Sequence, residues 1–101
     1  MSTMLKTERE FYTRLKCASM SDPVVDVLKR EETETVRIIV VSHVHKLTED
    51  LFALNIFKET YSKDYDDENL PENGATITQF VPWELYTLAE TSDLMARYKS
   101  K

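Results

Sequence analysis

His43 and His45 form the first pair of residues in this chain whose spacing could serve chemistry. They are the only histidines, and two positions of a strand that lie two residues apart point to the same side. Such a pair can hold a transition metal if a third or fourth ligand comes from elsewhere. Cys17 and Asp50 are candidates, but no spacing supports either. The sequence predicts two half-exposed histidines near a strand end, with metal binding as the alternative.

Cys17 is the only thiol of the chain. A nucleophilic role would need a paired histidine, and no Cys-His motif surrounds this residue. It lies instead in a predicted amphipathic helix, where small buried cysteines are common. A lone cysteine allows no intrachain disulfide and favours a reducing compartment. We therefore expect no catalytic residue and a cytoplasmic location.

Alternating carboxylates at Asp64, Asp66 and Glu68 suggest a calcium loop. The frame does not match, because Leu70-Pro71 stands near the place where such a loop has its glycine-bearing turn. Loose divalent-cation binding remains as an alternative. The single glycine cannot build a phosphate-binding loop, and an isoelectric point near 5.0 is unlike that of a DNA-binding protein. We expect no cofactor, no bound metal and no direct contact with nucleic acid.

The distribution of the acids is more informative than the total charge of −5. Residues 1–46 hold eight basic and seven acidic residues, a net charge of +1. All eleven remaining acids lie between Glu49 and Asp93, where two lysines oppose them and leave a net charge of −9. A surface of this charge repels nucleic acid and anionic lipid and attracts basic protein surfaces.

Acids at alternate positions of an extended chain lie about 6–7 Å apart. Successive phosphates of one DNA strand rise by about 3.4 Å along the axis and lie further apart along the winding backbone. An acidic face of this spacing could therefore occupy the DNA-binding groove of a basic protein. The predicted partner-binding residues are Glu49, Asp50, Glu59, Asp64, Asp66, Asp67, Glu68 and Glu72. The alternative is a solvated face that only aids solubility.

Helices are predicted at both ends of the chain. Apolar residues recur at three- and four-residue steps over Thr7–Met20. Asp22 is a good N-cap before Pro23, which predicts a short second helix over Pro23–Arg30. Pro82 is expected to open the last helix, which runs to about Lys99 with a break at Thr91-Ser92-Asp93. These helices would cover one side of a small sheet.

The strands are predicted between these helices. Glu34–His45 is dense in β-branched residues and apolar on both faces, which is typical of a central strand. Leu51–Tyr61 fits a strand or a helix, with the strand favoured, and Ala75–Val81 is a short strand after a loop over Ser62–Ala75. We expect one domain over residues 1–101, of class α+β. Its small antiparallel sheet has two to three strands, an N-terminal helix or helices and a C-terminal helix.

The two-faced central strand has a consequence for assembly. Helices in so small a domain cover one face of the sheet, so a partner copy in a homodimer could cover the other. The longest apolar run, Ile38–Val41, is far too short to span a membrane, and no membrane partner is expected.

In size, charge bias and the acidic segment from Glu49 to Asp93, the chain resembles small acidic proteins that phages make early in infection. Some of those proteins are DNA mimics that block host DNA-binding proteins. The resemblance implies a non-enzymatic inhibitor without cofactor, monomeric or homodimeric, that acts in the host cytoplasm on a basic protein such as an HU-type nucleoid protein. Two alternatives remain: a structural subunit without DNA mimicry, and a small metal protein that uses His43 and His45.

Overall fold

The computed structural model describes residues 6–62 and 75–99. Within those ranges the elements are α1 (Lys6–Lys16), β1 (Val24–Glu32), β2 (Val36–Thr48), β3 (Leu51–Ser62), β4 (Ala75–Tyr86) and α2 (Leu88–Tyr98). The strands form one antiparallel sheet in the order β1-β2-β3-β4. The predicted α+β class is confirmed. The prediction of two to three strands is wrong, because the described ranges contain four.

The two central strands, β2 and β3, confirm the strand predictions for the middle of the chain. They pair from Val36 opposite Ser62 to Thr48 opposite Leu51, so Glu49 and Asp50 form the turn of a hairpin. β-branched and aromatic side chains favour this extended pairing over a helix. The ambiguous segment Leu51–Tyr61 is therefore a strand.

The core lies between the sheet and both helices, which pack on the same side of it. Its members come from all six elements and are nearly solvent-free. They are Phe11, Leu15, Leu28, Val40, Val44, Phe52, Leu54, Ile56, Val81, Leu88 and Met95. In the described part of the chain, no helix is long and apolar enough to cross a membrane.

β1 replaces the helix predicted over Pro23–Arg30. Val24, Val27 and Leu28 suit a helical stripe, but they also suit a strand that contains a bulge. Leu28 is the extra residue, since Val27 pairs with Val41 and Lys29 with Val40. The bulge leaves Leu28 buried in the core. The valines of this segment pair with the neighbouring strand β2, and the local sequence alone does not reveal that pairing.

β4 extends through Pro82, where the sequence predicted the start of the last helix. Proline is tolerated at this point because β4 is an edge strand and its pairing with β3 is irregular there. The helix starts at Leu88 instead, after a capping box in which Thr87 and Glu90 exchange hydrogen bonds between side chain and backbone. The predicted start was therefore six residues too early.

α2 also runs without interruption through Thr91-Ser92-Asp93, where a break was expected. Thr91 Oγ1 donates a hydrogen bond to the Thr87 carbonyl at 2.8 Å, and Ser92 Oγ donates to the Leu88 carbonyl at 2.8 Å. Both residues are fully buried. Their hydroxyls are satisfied inside the helix and so do not disrupt it.

α1 ends at Lys16, short of the predicted Met20, and a buried lysine binds the carbonyl of its last residue and one carbonyl just beyond it. Lys46 Nζ, on β2, donates to the Lys16 and Ala18 carbonyls at 2.7 and 3.2 Å. A cation at this position also interacts favourably with the helix dipole. Cys17 lies just beyond the helix and is exposed, unlike the buried cysteine that the sequence predicted.

Candidate protein-binding face

The side of the sheet turned away from α1 and α2 is here called the helix-free face. Successive side chains of a strand point to opposite sides, so residues that alternate with the core residues project onto this face. Register then assigns its members. They are Val25, Val27, Arg30, Glu32, Arg37, Ile39, Val41, His43, His45, Ala53, Asn55, Phe57, Glu59, Tyr61, Ile77, Gln79, Trp83 and Leu85.

Large apolar side chains of the helix-free face remain in contact with water. Val25, Val27 and Ile77 expose 53%, 43% and 57% of their surface, and Trp83 and Leu85 expose 51% and 59%. Isolated exposed apolar residues are ordinary on protein surfaces, but five of them on one side of one sheet, all on its two edge strands, are typical of an interaction surface.

An aromatic cluster occupies the middle of this face. Trp83 on β4 reaches across β3 to both histidines, with ring centroids 6.5 Å from His43 and 5.6 Å from His45. His43 also lies 5.3 Å from Phe57. The two histidines therefore share a side, as predicted, and pack against aromatic rings. Within residues 6–62 and 75–99, no group of three or more side chains could hold a metal ion.

Asn55 positions Trp83 within this cluster. The pairing of β3 with β4 jumps from Leu54–Glu84 to Ile56–Val81, which places Pro82 and Trp83 together opposite Asn55. The Asn55 side chain is buried, and its Nδ2 donates to the Val81 carbonyl at 2.8 Å and to Gln79 Oε1 at 2.6 Å. The bulge leaves the Val81 carbonyl without a backbone N–H partner on β3. The Asn55 side-chain amide donates to this carbonyl instead.

Charged groups are concentrated at one end of the helix-free face. Glu59 pairs in register with Ile39, which pairs on its other side with the exposed Arg30. Tyr61 donates its hydroxyl to Glu59 Oε2 at 2.5 Å. This hydrogen bond to the carboxylate, with burial and the nearby negative charge, raises the pKa of Tyr61 above its ordinary value.

The structure describes three of the eight predicted partner-binding acids, and these three do not lie together. Glu49 and Asp50 lie at the β2–β3 turn, whereas Glu59 lies near the opposite end of the 12-residue strand β3. Twelve extended residues span about 36 Å. Asp50 also has a structural role, because its Oδ1 accepts a hydrogen bond of 3.0 Å from the Leu88 backbone at the start of α2. Glu49 is a surface partner of Lys46, at 3.5 Å.

The other five predicted acids lie outside the described residues. They are Asp64, Asp66, Asp67, Glu68 and Glu72, and the predicted loop that contains them falls between Ser62 at the end of β3 and Ala75 at the start of β4.

A cationic cavity of about 630 Å³ lies on the helix side of the sheet, beside the end of α2. Its cations already have partners: Lys29 pairs with Glu31 at 2.7 Å and Arg97 with Asp93 at 2.8 Å. Lys58 and Lys99 lie over aromatic rings. Cations in the last turn of a helix also stabilise it. These interactions account for the charges as part of the fold.

Sequence reasoning missed the contribution of β4 to the helix-free face. The sequence predicted that the last helix opens at Pro82, which would place Trp83 and Leu85 in that helix. A signal was present: Trp83 and Leu85 alternate with Glu84 and Tyr86, which is the period of a strand. The proline before them masked that period.

Comparison with known protein families, curated proteins and solved structures finds no match to this chain.

Proposed function

We propose that this chain is a non-enzymatic assembly protein that binds another protein surface through the helix-free face. The observation that carries the proposal is the exposure of Val25, Val27, Ile77, Trp83 and Leu85 on one side of one sheet. A surface with exposed aromatic and aliphatic side chains and charged groups at one end has the composition of a protein interface.

The free energy gained by burying these apolar side chains supports this function. Full burial of a large apolar side chain contributes about 1.5–3 kcal/mol. These five residues are already about half buried, so covering them would contribute about 1 kcal/mol each. Burying all five side chains under another protein surface would therefore contribute about 5 kcal/mol to the free energy of binding.

The proposal is tested by measuring whether the face is covered in the cells that naturally make the protein. Cys17 is first replaced (Cys17→Ser), and a single thiol is then introduced by Val27→Cys on the helix-free face. We expect a maleimide reagent to label this thiol at least about tenfold more slowly than an open site, since a covered thiol reacts only after opening.

The matched control is Ala89→Cys, at an exposed position of α2. Both thiols should react at equal rates after denaturation. If the thiol at position 27 reacts in cells as fast as the thiol at position 89, the face is open and the proposed function is wrong.

A second candidate function follows from the charge pattern, in which the acidic segment binds and inhibits a basic, DNA-binding protein by mimicking DNA charge. It is favoured by Glu59, which lies three residues before the end of β3. The sequence places five further acids in the segment that follows. Such association would be steered electrostatically and would slow sharply as salt rises.

This second function is tested by reversing the charge of the acidic segment. The test variant carries Asp64→Lys, Asp66→Lys, Asp67→Lys and Glu68→Lys. Its control makes the same change in net charge elsewhere, with Glu8→Lys, Glu10→Lys, Asp22→Lys and Glu34→Lys. Binding to a purified HU-type protein should be lost in the first and retained in the second. Equal binding by both variants would exclude a role for this segment.

A further inference from the structure

Within residues 6–62 and 75–99, helices cover one face of the sheet, and no second layer of secondary structure covers the other face. A sheet with apolar side chains on both faces is normally covered on both. The missing layer has to bring an apolar surface of similar width.

We propose that the missing layer is the helix-free face of a second copy of this chain, related by a two-fold axis that runs parallel to the strands between β2 and β3. This inference rests on the proposed assembly function and names its partner. Each β1 then faces the partner's β4, and each β2 faces the partner's β3.

Side-chain size on the two edge strands supports this axis. β1 contributes the small Val25 and Val27, and β4 contributes the large Trp83 and Leu85. Val25 pairs with His43, and His43 with Asn55, which lies opposite the bulge that contains Trp83. The axis therefore places the small valines of β1 in one copy over the β4 backbone of the other, from which the Trp83 side chain extends toward the middle of the face, with the two sheets about 10 Å apart.

The other face-to-face arrangement packs less well. A two-fold axis in the same plane but perpendicular to the strands places β1 on β1 and β4 on β4. Trp83 and Leu85 would then face their own copies at one edge, while valines faced valines at the other. The gap between the sheets would be wedge-shaped, whereas packed sheets interdigitate at a constant separation.

Charge at the polar end of the face is also self-complementary. Arg30 lies on β1 and Glu59 on β3, one on each side of Ile39. Under the proposed axis, β1 lies over the partner's β4, next to its β3. Each Arg30 side chain is then within reach of the carboxylate on the partner's β3, so two ion pairs form per dimer.

The edges of the sheet are poorly suited to the alternative of edge-to-edge pairing. β4 contains Pro82 and two irregularities of register, and β1 contains the bulge at Leu28. Bulges and prolines at edges are common means of preventing strands from pairing with other chains. Association through the face is therefore favoured over extension of the sheet.

The size of the face matches that of a stable dimer interface. Strands of 9 to 13 residues at about 4.8 Å spacing and 3.3 Å per residue give roughly 600–700 Å² per copy. Stable interfaces bury about 800 Å² per partner, with a wide spread. Two copies also double the apolar gain to about 10 kcal/mol, which is comparable to the roughly 4–15 kcal/mol cost of association.

Oligomeric state is the first test. Light scattering on the purified chain at micromolar concentration should give twice the monomer mass of 11.8 kDa. Trp83→Asp should weaken the dimer at least about 30-fold, as loss of a central tryptophan does at other interfaces. Ala89→Asp, on the opposite side of the molecule, should leave the dimer intact. Circular dichroism establishes that each variant is folded.

Cross-linking then tests the axis. In the Cys17→Ser background, Val27→Cys and Gln79→Cys place thiols on β1 and β4, in the same row of the sheet. A bismaleimide reagent that spans about 10 Å should link the two variants when they are mixed. It should not link Val27→Cys to itself, because those positions are then about 17 Å apart.

The outcomes separate this inference from the proposed function. A monomer at micromolar concentration, with the thiol at position 27 still protected in cells, overturns the second copy and leaves assembly with a different protein. A monomer without that protection overturns both. A dimer in which Val27→Cys links to itself overturns the proposed axis.

Discussion

Asn55 is the residue on which the geometry of the helix-free face most depends. Its buried amide binds the Val81 carbonyl and the Gln79 side chain, and both bonds lie at the bulge that turns Trp83 toward the histidines. Unlike the apolar residues around it, a buried amide is stable only where its partners are fixed. One polar group therefore holds the irregular part of β4 in register.

Replacing Asn55 with alanine should lower the free energy of unfolding by about 1–3 kcal/mol, because the Val81 carbonyl is left buried without a partner. Urea denaturation followed by circular dichroism measures this change. Gln79→Ala is the control, since it removes the exposed partner and leaves the bond to Val81. It should cost less than about 1 kcal/mol. Equal losses in both variants would mean that the bond to Val81 is not the important one.

α2 shows how an element depends on residues far away in sequence. Its first turn is satisfied by the capping box of Thr87 and Glu90, and also by Asp50 from the β2–β3 turn. A carboxylate at this position binds an unpaired N–H and interacts favourably with the helix dipole. Asp50 therefore connects the hairpin of the sheet to the helix that covers it.

Replacing Asp50 with alanine should lower the free energy of unfolding by about 1 kcal/mol, because an unpaired N–H remains at the start of α2. Glu49→Ala is the control on the same turn. The Glu49 side chain is 79% exposed, and surface ion pairs contribute about 0–1 kcal/mol. Thermal unfolding compares the two variants. An Asp50→Ala protein as stable as the Glu49→Ala protein would show that Asp50 does not support α2.

The elements that sequence reasoning predicted correctly are those with strong local signals. β2 and β3 are dense in β-branched and aromatic residues, and α1 has a regular apolar stripe. β1 and the end of β4 were read as helix because Pro23 and Pro82 resemble helix starts. In the folded chain the pairing of neighbouring strands outweighs that local signal. The capping box at Thr87 and Glu90 was the local signal that marked the true start of α2.

At the scale of the whole molecule, charge that is contiguous in sequence is not contiguous in space. The antiparallel hairpin of β2 and β3 sends Glu49 and Asp50 to one end of the sheet and Glu59 toward the other. Sequence could predict the amount of acidic charge but not this division, which depends on the register of the strands. The apolar character of both faces of β2 was predictable from the sequence, and the proposed dimer builds on it.

The proposed dimer predicts that reversing the charge of Arg30 or of Glu59 weakens self-association, and that reversing both restores it. Arg30→Glu should weaken self-association by about tenfold, since it places like charges together near the interface. Glu59→Arg should do the same, and the double variant should regain most of the lost affinity. Sedimentation equilibrium at low salt measures the dimer dissociation constants of the two single variants and of the double variant. Failure of the double variant to recover would show that these two side chains do not meet across copies.

The positions of the two helices in the chain have a consequence for synthesis on the ribosome. α1 is made before the sheet and α2 after it, and α2 supplies the buried Leu88 and Met95. Until α2 leaves the exit tunnel, the nascent sheet lacks part of its cover on the face that the helices pack against. Chains cut short before Leu88 expose both faces, so quality-control proteases and chaperones should recognise them readily.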